Sequence, residues 1–547
     1  MKKWQILSSR DTDLIGILLR NRGIKTKKEI EEFFHPNLSR VARSGFARLN
    51  LTKSLHRIKK AIANKESIVI YADYDADGIT AGAIIWETLH KLGANVMPYI
   101  PDRKEEGYGL SIKGIDAVRQ RFDPSLLITV DHGITAWEKV EYAGNFGIDV
   151  IVTDHHVKPK KLPDCLIVHT TALSGAGVAW VLAKELSADA DLSLAAIGTI
   201  ADMMPLVGPN RSIAKYGLEE INKTKRVGLE AIIADAGLIK GSIGTYEISH
   251  MIAPRLNAMG RIEHALDALR LLCTNNKEKA RILAATLGLK NRERQQLTAD
   301  TTSHALQGVA LQRKPQGHPL RKLIFIAHET YNQGVIGLVA GRLVEEYYLP
   351  AVVIAKGEIY SKASARSIAG FNIVEAIRSA SDILVDVGGH PMAAGFTVET
   401  KNLAVLQDRL EKIAEKELSE EKLTRVLRVD AEIPLNLVTE ELWQKLRDFE
   451  PFGFGNPEPV FATKNVRVLE ARLVGADGKH LKLRLALPNL PNQPSLPNAH
   501  EAIAFNFGKL YGQLQPNASV DIAYTIDMNL WNGTKRLQLK IKDIHTT

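Results

Sequence analysis

At 547 residues the chain is long enough for three or four domains of roughly 100–200 residues each. A content of 45% hydrophobic and 24% charged residues excludes a disordered, collagen-like or disulfide-stapled protein. Lysine plus arginine exceed aspartate plus glutamate by 71 to 62, a net charge of +9 that permits a polyanionic partner without establishing one.

The first residues, MKKWQILSSRDTD, hold an apolar stretch too short for a secretory signal. No window approaches the roughly eighteen apolar residues of a membrane span, so no membrane is expected. Two cysteines, Cys165 and Cys273, are too few for a disulfide framework or a thiolate zinc site and fit a reducing, cytoplasmic setting. Residues 1–45 read as a helical lead-in, with an apolar repeat through Leu14, Ile17 and Leu18 and then Ile30 and Phe33. Over 46–215, β-rich runs (Ser67–Tyr71, Asn95–Ile100, Leu126–Val130, Asp149–Val152, Leu166–Val168) alternate with helix-like segments such as Gly82–Leu92 and Trp137–Asn145. That alternation predicts a parallel sheet with helices on both faces. Residues 216–312 read as a helical connector; from 275 onward it has no proline and two glycines, which predicts one long helix or two in series. A smaller α/β lobe is expected over 313–425, with strands at Leu323–Ala327 and Ala351–Ala355 and helices at Gly334–Tyr347 and Ile373–Ser379. Residues 426–459 read as a linker ending in the turn-rich PFGFGNPEP, and 460–547 as five short strands. Those five strands suggest a barrel of the oligonucleotide-binding (OB) type, with a small sandwich as the alternative and the Pro/Asn-rich 488–498 as a surface loop.

Chemistry collects at strand ends. SIVIYADYDADG carries Asp73, Asp75 and Asp77, LLITVDHG ends in Asp131 and His132, and DVIVTDHH ends in Asp154, His155 and His156. In an open parallel sheet these ends share one edge, so clusters distant in sequence converge. In extended chain Asp73, Asp75 and Asp77 would share a face, while His155 and His156 would point apart, one to a metal and the other to substrate. Asp202, in the apolar IGTIADMMPL, needs a metal or hydrogen-bond donors to offset its burial. Taken singly, a D-x-D is as readily a turn or helix cap; four such clusters on one edge favour a metal site. Carboxylates with imidazole and no thiolate select Mn²⁺ or Mg²⁺ ahead of Zn²⁺, and so many suggest two ions about 3.5–4 Å apart. No nucleotide-binding glycine signature follows the first strand, which disfavours an ATP-driven motor.

The second lobe carries Ser364-Ala365-Arg366-Ser367 and Gly388-Gly389-His390. An arginine fork and a histidine suit phosphate oxygens, though GGH also reads as a tight turn and Arg366 as a solvated side chain. Arg103, Arg255 and Arg261 are further phosphate-contact candidates, or ordinary salt-bridge partners.

Together DYDADG, VDHG, TDHH and IADMMPL resemble, in order and spacing, the signature blocks of the DHH phosphoesterase superfamily. SARSIAGFNI and GGHPMAAGF resemble its DHH-associated domain, and EEGYGL, PRLNAMGRI, PFGFGNPEPVF and the C-terminal strands narrow the resemblance to its single-stranded-DNA-specific 5′→3′ exonucleases. The resemblance implies a two-metal hydrolase that releases 5′-mononucleotides in DNA repair and recombination. It implies metal ligands at Asp73, Asp75, Asp77, Asp131, His155 and Asp202, with His156 on the scissile phosphate and Asp154 orienting the histidines. Arg103, Ser364 and Arg366 correspond to a pocket for the 5′ end, Arg261 and His390 to strand contacts, and His132 to no assigned role. Single-stranded DNA is the expected partner of a monomer, with single-strand-binding protein and a helicase as candidate protein partners. The residues end after the barrel, so contacts through the further C-terminal domain of some members are not expected.

A DHH phosphodiesterase for short oligonucleotides or cyclic dinucleotides is one alternative, against which the added 460–547 region speaks. A non-catalytic DNA-binding scaffold is another, against which the filled ligand positions speak. Residues 464–547 hold eleven Lys/Arg against six Asp/Glu, so 11 − 6 = +5 of the net charge lies in the expected barrel. Phe505, Phe507, Tyr511 and Trp531 are its candidate stacking platforms, Trp531 the best placed beside Asn532-Gly533.

Overall fold

A computed structural model of the chain describes residues 2–8, 13–43, 45–46, 48–103, 105–187, 189–312, 321–487, 499–531 and 534–546. The first sheet has five parallel strands in the spatial order Asn95–Tyr99, Ser67–Ala72, Leu126–Val130, Asp149–Asp154, Leu166–His169. Its central strands are apolar throughout because helices cover both faces. Ile68, Ile70 and Ile128 pack towards the helices Ala76–Lys91 and Gly175–Leu186. Val69, Tyr71 and Leu127 pack on the other side with Ile115, Val118 and Val140. The strand order reverses between Ser67–Ala72 and Leu126–Val130, the place where open sheets of this kind form a crevice.

The stretch from 275 resolves into a single 36-residue helix, Lys277–Gln312, spanning roughly 54 Å at the usual rise per residue, and shorter helices such as Val227–Asp235, Ala253–Ile262 and Leu266–Cys273 fill the connector before it. Ala280, Ala284 and Leu287 near its start join the first lobe's core, and Ala305 and Val309 near its end join the second lobe's. One rigid element is thus shared by both cores. The second sheet runs Leu384–His390, Ala393–Glu399, Tyr360–Arg366, Ala351–Ala355, Ile324–His328, antiparallel except for its last pair. Gly388-Gly389-His390 is therefore the end of a hairpin strand paired with Ala393–Gly395, and not the turn itself.

The C-terminal strands Phe461–Val474, His480–Ala486, His500–Ala504, Thr534–Thr546 and Ser519–Trp531 close on themselves through pairing of the first with the last in that order. Closure decides for a barrel over a sandwich. The Pro/Asn-rich stretch 488–498 lies outside the described residues. Two sequence readings are corrected. Residues 1–45 are not only helical: Lys3–Ile6 is a strand parallel to Val426–Val429, and Ile17, Leu18 and Phe33 share the barrel's apolar core. Four residues are too few to carry a readable period, and their partner is distant in sequence. Residues 426–459 are not a free linker either, because Leu435, Val438, Leu446 and Phe449 are buried in that same core.

Arg211 fastens this assembly to the first lobe. Its guanidinium, fully buried, donates to the carbonyls of Phe33 (2.7 Å), Phe449 (3.0 Å), Asp448 (3.3 Å) and Glu450 (2.8 Å). It also lies 3.9 Å from the centre of the Phe33 ring. These carbonyls end the helices Lys27–Phe34 and Glu440–Arg447, where unsatisfied oxygens and the helix dipole favour a cation. Burial, and the nearby Arg22, lower Arg211 to about 10, which still leaves it charged at neutral pH. Arg211→Met strands several buried carbonyls and is expected to cost about 3 kcal/mol or more, read as a lower urea midpoint. An unchanged midpoint would show that the clamp is dispensable.

Candidate metal centre

Strand register sets the site. Ala72 lies beside Val130, and Val130 beside Thr153, so Asp73, Asp131 and Asp154 leave neighbouring strands at one edge. The DYDADG carboxylates converge, but not through an extended chain. The strand stops at Ala72, and Asp75 caps the helix Ala76–Lys91, accepting from the N–H groups of Asp77 and Gly78 at 3.0 Å each. Asp77, in that helix's first turn, accepts from Gly175 N–H (2.7 Å) and Ala176 N–H (2.9 Å) at the start of the helix Gly175–Leu186. Gly175 is required there, since a Cβ would stand 2.3 Å from Asp131 Oδ1. Asp202 ends the helix Leu192–Ala201 and swings into the same space.

Three groups of ligand atoms each lie within 4.8 Å of one another: Asp73, Asp75 and Asp131; Asp131, His155 and His156; and Asp77, His155 and Asp202. His155 Nε2 is 3.1 Å from Asp131 Oδ1, 3.7 Å from Asp202 Oδ2 and 3.9 Å from Asp77 Oδ2. The two histidines do not point apart as extended residues would, because the strand ends at Asp154. Their ring centres are 4.5 Å apart.

Asp154 belongs to none of these groups. It accepts from the N–H groups of His155 (2.6 Å), His156 (3.0 Å) and Ile134 (2.8 Å), and its Oδ1 lies 2.8 Å from His156 Nδ1. Burial would raise this carboxyl, but those donors and the His156 charge hold it well below the ordinary range. Burial alone would likewise lower His156; the hydrogen bond and charge of Asp154, with Asp202 and Asp73, push it up to about 9. Nδ1 being engaged, Nε2 faces outward, 3.3 Å from the Tyr108 hydroxyl. His155 is lowered to about 4 by burial and by the His156 charge, and so presents a neutral ring. His132, also lowered to about 4 by burial, meets the Tyr71 carbonyl at 3.0 Å, apart from the three groups.

The remaining carboxylates crowd one another. Burial and Asp75 raise Asp73 well above its ordinary value and bring Asp77 to about 7; burial and Asp77 bring Asp202 to about 8. Burial, Asp77 and Asp75 raise Asp131 well above its ordinary value, and its Oδ1 is buried without a hydrogen-bond donor. Buried oxygens facing one another and a neutral imidazole, without donors between them, form a donor set that fits divalent cations of the Mn²⁺ or Mg²⁺ type.

An arginine cluster adjoins the Asp73–Asp75 side. Arg103 lies 5.1 Å from the centre of the Tyr74 ring, and Arg366 Nη1 donates to Ser364 Oγ at 3.2 Å. Arg261 donates to the Gly334 carbonyl at 2.9 Å. Burial and the charges of Arg103, Arg294 and Arg366 lower Arg261 to about 10, against the opposing pull of Asp75. Exposed His390, from the second lobe, lies close enough for its charge to act on His155. Arg255 stands apart, bonded to Asp235 at 3.0 Å as an ordinary ion pair. In the barrel Phe505 and Tyr511 are exposed, Phe507 packs against the core, and the Trp531 side chain lies outside the described residues. Sequence reasoning missed Tyr108 and Arg294. The latter sits in the helical run NRERQQ, whose charges read as a solvated face, and only its N-x-x-R spacing to buried Asn291 hinted otherwise (Arg294 Nη2 donates to Asn291 Oδ1, 2.9 Å).

Three family models match: the DHH family N-terminal domain over 67–204, the DHHA1 domain over 321–416 and the RecJ OB domain over 429–543. The chain is 38% identical to the single-stranded-DNA-specific exonuclease RecJ of Bacillus subtilis, covering 97% of this chain and 68% of that one. It is 30% identical to RecJ of Escherichia coli, covering 97% and 95%. The crystal structure of Thermus thermophilus RecJ in complex with Mn²⁺ superposes with a TM-score of 0.84 at 30% identity, over 100% of this chain and 80% of that one. The corresponding Mg²⁺ complex gives 0.78 at 29% identity, over 100% and 78%.

Because folding raises the pKa of Asp77 to about 7 and of Asp202 to about 8, their protonated forms favour the fold at low pH. That stabilisation is lost as pH rises through those values. With chelator present, the melting temperature is expected to fall from about pH 4 to about pH 8, and saturating Mn²⁺ to reverse the slope, because an ion displaces the protons. Scanning calorimetry across that range checks this, and a chelated protein with a flat profile would contradict it.

Proposed function

The chain belongs to the RecJ family of single-stranded-DNA-specific exonucleases, and from that membership we propose that it hydrolyses single-stranded DNA from the 5′ end to 5′-mononucleotides. The observation that carries the reading is the cationic cluster of Arg103, Arg261, Arg294 and Arg366 beside the Asp73–Asp75 side of the carboxylates. A strand terminus with its phosphate suits such a pocket. The chemistry supplied by two Mn²⁺ or Mg²⁺ ions, when held by Asp73, Asp75, Asp77, Asp131, His155 and Asp202, is Lewis acidity towards phosphate oxygens and a lowered pKa for water.

The residues do the positioning. Arg103, Ser364 and Arg366 grip the terminal 5′-phosphate, while Arg261 and His390 hold the strand across the cleft. Asp154 fixes His156 through Nδ1, so a proton stays at Nε2, aimed at a non-bridging oxygen of the next phosphate. Water adds to that phosphorus and the bond to O3′ of the first nucleotide breaks. The strand left behind carries a new 5′-phosphate, which suits the same arginine pocket in the following cycle. A single strand is what a helicase exposes and what single-strand-binding protein covers. Those two are therefore the proposed partners of a cytoplasmic monomer acting in repair and recombination. Among the described residues no helix is long and apolar enough to cross a membrane.

The test is release of mononucleotides, with Mn²⁺, from strands labelled at either end, alongside duplex DNA and a cyclic dinucleotide. Single strands labelled at the 5′ end are expected to lose label at once, and Asp131→Ala to abolish hydrolysis. His156→Gln is expected to lower kcat by about 100-fold. Failure of the Mn²⁺-loaded protein to cut any strand, or preference for the dinucleotide, would overturn the reading.

A further inference from the structure

Arg103, on the terminal 5′-phosphate, and Tyr108, beside His156, lie in one segment between the strand Asn95–Tyr99 and the helix Ile112–Phe122. Both side chains are exposed. A cation left in water has little packing of its own, so its aim depends on what fixes the backbone beneath it. Between the two stands Glu106, half-buried and bonded inward.

Glu106 fastens the segment on two sides. Its Oε1 accepts from the Asp102 N–H at 2.9 Å, and its own N–H donates to the Asp102 carbonyl at 2.9 Å, closing a turn that starts one residue before Arg103. Its Oε2 accepts from the Tyr99 hydroxyl at 2.9 Å and from that of Tyr71 at 3.5 Å. Burial and the Glu106 charge keep the Tyr71 hydroxyl protonated; burial and the bond to Glu106 do so for Tyr99. Both tyrosines therefore remain donors.

The tyrosines are themselves immobile. Tyr71 is fully buried in a central strand, with the Tyr99 ring centre 5.0 Å from its own. Its carbonyl accepts from His132 Nε2 at 3.0 Å, and the His132 ring meets its ring edge-on at 5.3 Å. His132, which belongs to no ligand group, thus links the residue after Asp131 to the anchor of the Arg103 segment. Room for the anchor is kept by Gly114 in the first turn of Ile112–Phe122. A Cβ there would stand 2.1 Å from the Tyr71 hydroxyl and 2.6 Å from Glu106 Oε2.

We propose that Glu106 is a positioning residue that aims Arg103 at the terminal 5′-phosphate and so sets the preference for phosphorylated 5′ ends. The proposal rests on the exonuclease reading and deepens it, by naming what places one of its arginines relative to the metal edge. Glu106 acts only through Arg103. Its own charge is engaged by the Asp102 N–H and the two hydroxyls, and so does not oppose the phosphate.

The test uses full-length protein with Mn²⁺ and single strands of one sequence ending in a 5′-phosphate or a 5′-hydroxyl. The quantity read is the ratio of kcat/KM for the two ends. Wild type is expected to prefer the phosphate, Arg103→Ala to lose about tenfold of that preference, and Glu106→Ala to lose about as much. Combined, the two substitutions are expected to lose no more than either alone, which a merely structural role for Glu106 would not produce. Glu106→Gln, whose amide can accept from the Asp102 N–H and donate to the Tyr99 hydroxyl oxygen, should keep the preference to within about threefold. Tyr99→Phe removes one donor without emptying the site, and should lose about threefold; it decides the matter should Glu106→Ala fold poorly. Undiminished preference in Glu106→Ala or Tyr99→Phe, or a further tenfold loss in the combined variant, would overturn the proposal even though wild type degrades strands. Equal cutting of both ends by wild type would overturn it together with the role of Arg103. Absence of any strand cleavage by wild type would instead overturn the exonuclease reading.

Discussion

Mutual repulsion among buried carboxylates is the constraint on which the rest of the molecule depends. Asp73, Asp77 and Asp131 are shut away from water, with Asp75 and Asp202 against them, and burial with these neighbours raises the cost of ionising Asp73, Asp77, Asp131 and Asp202. Only cations can make so many negative oxygens compatible in so small a space. The surrounding structure is arranged to hold the oxygens ready for them. Helix N-termini fix Asp75 and Asp77, while Asp154, outside the ligand groups, spends its charge on holding His156.

A second consequence is that positive charge has to be brought in from elsewhere in the fold. Arg103 comes from a loop, Arg261 from a helix, Arg294 from the connector and Arg366 from the second lobe. The connector helix makes this possible, because one rigid rod is packed into both cores and sets the distance between them. The barrel is held less directly. Arg211 caps two helices that belong to the barrel's own core, and the Phe452–Gly455 loop rests on Pro205 and Leu206, four residues or fewer from Asp202. Barrel and metal ligand are in this way neighbours along a very short path. The net charge of +9 averages this arrangement away: an acidic edge and a basic barrel with +5 of its own lie within one chain.

Much of the centre was legible in the amino-acid order because β-runs ending in DYDADG, VDHG and TDHH place acids and imidazoles at the edge of any parallel sheet. The ordinary alternation rule then failed at the decisive residues. It assumes an extended chain, and the chain stops being extended at Ala72 and Asp154. Tyr108 and Arg294 went unread for a different reason. A tyrosine in a glycine-rich loop and an arginine in a charged helix are common surface residues, and only their neighbours in space distinguish them.

By itself, the sequence determined the order of the lobes, the helical connector, the strand-end ligands and the family, since each depends on local periodicity or on a short run of residues. Tertiary structure alone decided what requires partners far apart in the chain. It turned Lys3–Ile6 into a strand against Val426–Val429, drew the supposed linker into the barrel core and closed the barrel. It also aimed His156 Nε2 outward and gathered four arginines from four elements around one end of the site. The physical reason is common to all of these. Local pattern encodes which face of an element is buried, but the identity of what covers that face is set by packing between elements, which no short window contains.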